Sequence, residues 1–210
     1  MTDDHEKRLK QIEKDQRATA ADTQFLISSV HHLNNHSRIN NIEINCLEEV
    51  QGEDLTNMLI SFAGKVEVQL GVSEIDKIHR INSHNKTQAR PIVARFVSNI
   101  KKTQFMEAIR NKIKKGDKIT ADLFGSSKKN LVFINHHQSP QMKYIYKEVR
   151  QLRPGTVAKT GYYEDGTIWA TLNRPGNPSI RIRTMEGLER LKGKARMKDK
   201  PEDSAGTEEP

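Results

Sequence analysis

Apolar residues along this chain recur first at helical spacing, then in alternation, and the two periods then take turns. Residues 5–40 contain neither Pro nor Gly and are rich in good helix formers, which predicts one long helix. A heptad seam through it runs His5, Leu9, Ile12, Gln16, Thr19, Thr23, Leu26, Val30, Leu33, Ser37 and Asn40. Its apolar members, Leu9, Ile12, Leu26, Val30 and Leu33, form two clusters around a polar middle. Such a seam fits an oligomeric coiled coil, in which polar seam positions set register and oligomer number. A solvated or packed single helix fits as well, and both readings stand.

Asn40-Asn41 breaks the helix, and Ile42-Glu43-Ile44 alternates as a strand. Gly52 marks a turn. Residues 54–70 return to helical periodicity, with Leu55, Leu59, Phe62, Val66 and Leu70 on one face. Ile75 to Ile81 alternates, a polar loop covers 82–89, and Pro91 opens a short strand ending at Phe96, where its missing N–H is tolerated. Residues 99–114 are expected to be a helix with Ile100, Phe105, Ala108, Ile109 and Ile113 inward, stopped by Gly116. Ile119-Thr120-Ala121 is expected to supply a fourth strand. The resulting order over residues 41–124, β-α-β-β-α-β, is that of the ferredoxin-like split βαβ fold. Many RNA-recognition domains use it, so an RRM-like domain is expected here.

Residues 125–130 read as a linker, and a C-terminal α+β unit is expected over 131–192, beginning with the strand Leu131–Ile134. Ser139 is an N-cap candidate with Pro140 at the favoured first helical position, and the helix should end before Pro154-Gly155. Val157–Tyr163 and Thr167–Leu172 are expected strands joined at Glu164-Asp165-Gly166, a strong hairpin signal. Ile180–Arg183 is a further strand, and Thr184 caps a last helix that buries Leu188 and Leu191. Residues 193–210 are expected to be a disordered tail. The fold class is therefore α+β, with a helical N-terminal segment over 1–40.

Charge adds a function class to this outline. Residues 41–75 carry 1 Lys or Arg against 7 Asp or Glu, residues 76–129 carry 14 against 4, and residues 130–197 carry 12 against 5. Cations concentrated this way suit the neutralisation of phosphates, although Lys-rich solvated helix faces would give the same count. In the first basic block the candidates are Arg80, Arg90, Arg95, Lys101, Lys102, Arg110, Lys112, Lys114 and Lys115, with Lys128 and Lys129 in the linker. In the second they are Lys143, Lys147 and Arg150, on one helix face by their spacing, then Arg153, Lys159, Arg181 and Arg183. Tyr162, Tyr163 and Trp169 lie in the hairpin between them. Cations interleaved with aromatics are what single-strand binding needs, since each stacked base adds about 1–3 kcal/mol. Core packing is the alternative role for each aromatic.

Other classes find no support in the residues. Phosphate-cradling, dinucleotide-binding, zinc-protease and nucleophile-elbow motifs are all missing, so no enzyme is expected. His31, His32 and His36 lack a carboxylate or Cys companion and read as polar helix surface. No cofactor or metal is expected. The single cysteine, Cys46, excludes an intrachain disulfide. No apolar run approaches the roughly 20 residues of a membrane span, and the first ten residues lack a signal peptide's apolar stretch. An intracellular location, cytoplasmic or nuclear, is expected. The first strand has the shape of the first-strand element of an RNA-recognition motif, but Glu43 stands where a stacking aromatic would be. A carboxylate there repels phosphate, which makes the first sheet a poor platform and the cleft between the two domains the better expectation.

The chain resembles the baculovirus few-polyhedra (FP) proteins and the related open-reading-frame-one proteins of LINE-type, non-LTR retrotransposons. The likeness lies in Leu33-x3-Ser37-Arg38-Ile39-Asn40-Asn41-Ile42-Glu43-Ile44, in Ile78-His79-Arg80-Ile81, and in Arg90-Pro91-Ile92-Val93-Ala94-Arg95-Phe96. It continues in Val132-Phe133-Ile134-Asn135-His136-His137-x-Ser139-Pro140, and in Asp165-Gly166-Thr167-Ile168-Trp169 followed by Ile180-Arg181-Ile182. The resemblance implies a coiled coil that makes trimers, an RRM-like domain and a small C-terminal domain. It further implies non-sequence-specific binding of single-stranded RNA or DNA and chaperone-like strand annealing in a ribonucleoprotein. By that likeness Arg153 and Lys159 fall where the family keeps RNA-contacting cations, while Ala170-Thr171-Leu172-Asn173 stands where the family often has more Lys and Arg. The competing reading is an FP-type structural or trafficking adaptor working through coiled-coil contacts with proteins.

Overall fold

A computed structural model describes residues 2–82, 87–163 and 165–198 as a mixture of helix and sheet. The expected hairpin residue Glu164 and the tail from residue 199 onward lie outside the described residues.

The chain divides into the long N-terminal helix and everything from Arg38 onward. Helix α1 spans Thr2–His36. Leu9, Ile12, Leu26, Val30 and Leu33 are all more than half exposed on it, as is Phe25. At two polar seam positions, Thr19 and Thr23 donate their hydroxyls back to the carbonyls of Asp15 and Thr19, at 2.8 and 2.7 Å. This satisfies them within the helix. Among the described residues, no helix is long and apolar enough to cross a membrane.

Past Arg38 come β1 (Asn41–Asn45), α2 (Leu55–Lys65), β2 (Ile75–Arg80), β3 (Ile92–Phe96), α3 (Asn99–Lys114) and β4 (Phe133–His136). They form one sheet in the order β2-β3-β1-β4, every neighbouring pair antiparallel. The fourth strand is thus not Ile119-Thr120-Ala121. Thr120 makes only an isolated bridge to Leu131, and residues 121–124 wind into a 3-10 turn. That bridge returns the chain to the sheet so that β4 pairs with β1, with Ile44 opposite Ile134. The boundary expected at residue 131 therefore falls one strand too early.

One face of this sheet packs on α2 and α3 through Ile42, Ile44, Ile92, Ala94 and Phe96 against Leu59, Phe62, Phe105 and Ile109. Phe62 and Phe124 stack with ring centroids 4.1 Å apart. Helix α2 starts on the Asp54 side chain, which accepts the Asn57 N–H at 3.0 Å. It ends at Lys65 rather than near 70, because Glu67 adopts a left-handed φ of 63°. The N–H of Val68 then reaches the Ala63 carbonyl and that of Glu67 the Gly64 carbonyl, closing the helix with a pattern usually built on Gly. In α3 the buried stripe is Lys102, Phe105, Met106 and Ile109. Ile100 and Ile113, expected inward, are 73% and 55% exposed. The observed residues follow the i, i+3, i+4, i+7 spacing of a single face, opposite which Ile100 lies; Ile113 continues that face but stands in the last turn of the helix, past its buried part.

Helix α4 (Pro140–Gln151) begins at Ser139 and Pro140 as expected. Strands β5 (Val157–Tyr162), β6 (Ile168–Leu172) and β7 (Ser179–Ile182) make a second antiparallel sheet in chain order. Helix α5 spans Met185–Lys198, so the tail expected to begin at 193 is helical for its first six residues. A second core joins Met142, Ile145 and Val149 of α4 to Val157, Ile168, Ala170, Leu172 and Ile182 of the sheet and to Leu188 and Leu191 of α5.

Candidate nucleic-acid interface

Two of the expected phosphate contacts are interior groups. The Arg80 side chain is only 4% exposed. Its Nε and Nη2 donate to Glu53 at 2.5 and 2.8 Å, and its Nη groups also reach the carbonyls of Leu47, Glu48 and Arg90. All five donors of the guanidinium are used. These hydrogen bonds hold the Glu53 carboxyl below the usual carboxylate range. Lys102 is buried in α3, its Nζ donating to the Ile39 carbonyl. Neither group can reach a phosphate without dismantling the fold.

Other cations of the first basic block are tied to the acidic block before it. Arg90 pairs with Glu49 at 2.8 Å, Lys101 with Glu74 at 2.8 Å and Lys128 with Glu48 at 2.7 Å. Glu49 and Glu74 have their acidity raised by these partners, foremost through side-chain hydrogen bonds. Arg95 pairs with Asp76 at 3.1 Å, and Lys112 lies 3.5 Å from Asp117. With Glu43 and Glu53, 5 of the 7 carboxylates in residues 41–75 are ion-paired to later cations. Arg110, Lys114, Lys115 and Lys129 are exposed and form no ion pair among the described residues. The acidic block is thus mostly neutralised, by four cations of the basic block and by Lys143.

Glu43 lies on the sheet face opposite α2 and α3 and is 5% exposed. Both its oxygens accept from Lys143 Nζ of α4, at 2.8 and 2.6 Å. Beside it, Asn41 Nδ2 lies 3.3 Å from His137 Nδ1. Burial pushes His137 down to about 4, and His136 to about 4 with help from the Lys102 and Arg110 cations. Lys143 is therefore a docking residue between α4 and the first sheet. On the rest of α4, Tyr146, Lys147, Arg150 and Gln151 continue with Lys143 along one groove, the Arg150 guanidinium 5.8 Å from the Tyr146 ring centre.

The second sheet has its helices on one face and cations and aromatics on the other. Alternation sends Val157, Ile168, Ala170, Leu172 and Ile182 into the core. It sends Lys159, Gly161 and Tyr163, Trp169 and Thr171, and Ser179, Arg181 and Arg183 outward. The pairing places Lys159 opposite Thr171, Gly161 opposite Trp169, and Trp169 opposite Arg181. A Cβ built on Gly161 would stand 2.7 Å from Trp169 Cζ2 and 2.8 Å from Cε2, so the indole lies across the glycine. The Arg181 guanidinium sits 4.1 Å above the Tyr163 ring, within cation–π range. Lys159, Arg181 and Arg183 are exposed and form no ion pair among the described residues. Arg153, also exposed, donates its Nε to the Ala158 carbonyl at 3.1 Å.

Of the three hairpin aromatics expected among the cations, Tyr162 belongs to the opposite face. Its ring lies 4.1 Å from Tyr146, and burial raises its hydroxyl pKa. The outward aromatics are Tyr163 and Trp169. Parity separates them from Tyr162: 159, 161 and 163 share a face, as do 181 and 183. Among the described residues, no group of three His, Cys, Asp or Glu side chains could hold a metal ion. No family model matches the chain, and no curated protein matches it in sequence.

Proposed function

We propose that this chain is a non-enzymatic, non-sequence-specific single-stranded nucleic-acid-binding protein, chaperone-like, of the retrotransposon-type ribonucleoprotein class. The observation that carries the reading is the outer face of the second sheet. There Lys159, Arg181 and Arg183 stand with Trp169 and Tyr163 on one surface and pair with no carboxylate among the described residues. Cations follow a phosphate backbone and aromatic faces take bases, whatever the sequence. The first domain is read as RRM-like from its strand order, with Glu43 and Lys143 taking its sheet out of use as a base platform. Its remaining exposed cations, Arg110, Lys114, Lys115 and Lys129, are read as further phosphate contacts. Helix α1 is read as a homo-oligomeric coiled coil, trimeric by resemblance, which brings several such faces onto one strand and raises affinity by effective concentration.

The exposed α1 seam also favours a second reading, an adaptor of the FP type whose coiled coil binds protein partners. The two separate in one experiment. Reversing Lys159, Arg181 and Arg183 to Glu should weaken RNA binding strongly at low salt, flatten its salt dependence and leave assembly intact. Unchanged affinity would contradict the proposed surface, and binding absent from the unaltered protein would favour the adaptor.

A further inference from the structure

We propose that Trp169 is a seat for one unpaired base, so that the second sheet accepts single strands and rejects duplex at this position. The inference rests on the nucleic-acid reading above and adds its chemistry. Trp169 is on the central strand of its sheet, on the face away from α4 and α5. Gly161 is what lets the indole lie down, since any side chain at that position would occupy the ring's place. One face of the ring rests on the β5 backbone, and Trp169 keeps part of its surface in solvent. Around it stand Lys159, one alternation along β5, and Arg181, directly opposite on β7. Arg181 itself lies over Tyr163, a second planar pair on the same surface.

A flat ring flanked by cations suits a base attached to phosphates. Inside a duplex each base face is already covered by its neighbours, so away from the ends only an unpaired base can meet the indole. Backbone cations alone do not distinguish the two forms in this way.

The chain holds 1 Trp and 4 Tyr, so fluorescence excited at the red edge, where only indole absorbs, reports Trp169 alone. The full-length protein is titrated at low salt with a single-stranded oligothymidylate of about ten nucleotides, within the usual span of one small module. Its abasic counterpart and a blunt duplex of the same length are titrated in parallel. The single strand should quench the fluorescence, whereas the abasic strand and the duplex should bind without quenching. Trp169→Leu should lower single-strand affinity about tenfold and leave duplex affinity unchanged, and Trp169→Phe should retain most of it. Single-strand binding with no quenching, or equal quenching by the abasic strand, would overturn the stacking seat while leaving the nucleic-acid reading in place. No binding of any strand would overturn both. The wild-type titration decides the matter even if Trp169→Leu does not fold.

Discussion

Arg80 and Arg181 have the same side chain and opposite employment. Arg80 has every donor occupied by Glu53 and three carbonyls, so Arg80→Ala leaves Glu53 without its partner in a partly buried position. The variant should lose about 3 kcal/mol of stability in a denaturant titration, with the salt dependence of RNA binding unchanged at temperatures where it stays folded. Among the described residues Arg181 is held only over the Tyr163 ring, and its removal should do the reverse. A second residue-scale expectation concerns His136 and His137. Both have folded pKa values near 4 against an ordinary 6.5, so the native state refuses protons that the unfolded chain accepts. Their contribution is complete above about pH 6.5 and falls as pH drops toward about 4, by up to about 3 kcal/mol for each group. His136→Phe should flatten that part of the stability profile. The lowered carboxyls of Glu49, Glu53 and Glu74 act further down, withdrawing their support only below about pH 4.5.

At the scale of elements, α4 joins the two cores. Its inner face packs Met142, Ile145 and Val149 on the second sheet, while Lys143 reaches Glu43 on the first. Lys143→Met should leave a buried carboxylate unpaired, destabilising the fold by about 2–3 kcal/mol, less than a fully buried pair because Lys143 is half-exposed. Glu43→Gln together with Lys143→Met should recover most of that loss, as read by thermal unfolding of the double variant. Alternation made most strands legible in the sequence, and Ser139-Pro140 and Asp165-Gly166 gave a helix start and a turn through purely local chemistry. Strand partners are another matter. Residues 131–134 form the apolar run Leu-Val-Phe-Ile, as a buried strand can, but only pairing with the distant β1 assigns this segment to the first sheet. The end of α2 was hidden because Glu67, a poor left-handed residue, closes it where Gly would have announced the stop. The face holding Lys159, Trp169 and Arg181 was half legible. Its cations were evident by type, whereas its aromatics needed the strand register that separates Tyr162 from Tyr163.

For the whole molecule, the charge map changes meaning once the chain is folded. The acidic and basic blocks of residues 41–129 are sequence neighbours that bind each other, through Arg80, Arg90, Lys101 and Lys128. Much of their positive charge therefore stabilises the first sheet and its loops and does not confront solvent. The second sheet's outer cations have no such partners among the described residues, and that contrast is the basis of the functional proposal. Oligomerisation through α1 is a separate matter, testable by light scattering on the protein lacking residues 1–37. A fall in mass to that of a single chain is expected, and an unchanged state of assembly would remove α1 from the account.

The most direct measurement is the salt dependence of binding to single-stranded RNA, made on three proteins. These are the wild type, a Lys159, Arg181 and Arg183 reversal to Glu, and an Arg90, Lys101 and Lys128 reversal to Glu. Each phosphate neutralised on a single strand contributes about 0.7 to the slope of log affinity against log salt. Wild-type affinity should fall steeply between about 50 and 200 mM salt. The second-sheet reversal should flatten that slope by about two units, while the first-domain reversal should affect stability and leave the slope nearly unchanged. An unaltered slope in the second-sheet variant, or its loss in the first-domain variant while that protein remains folded, would contradict the account.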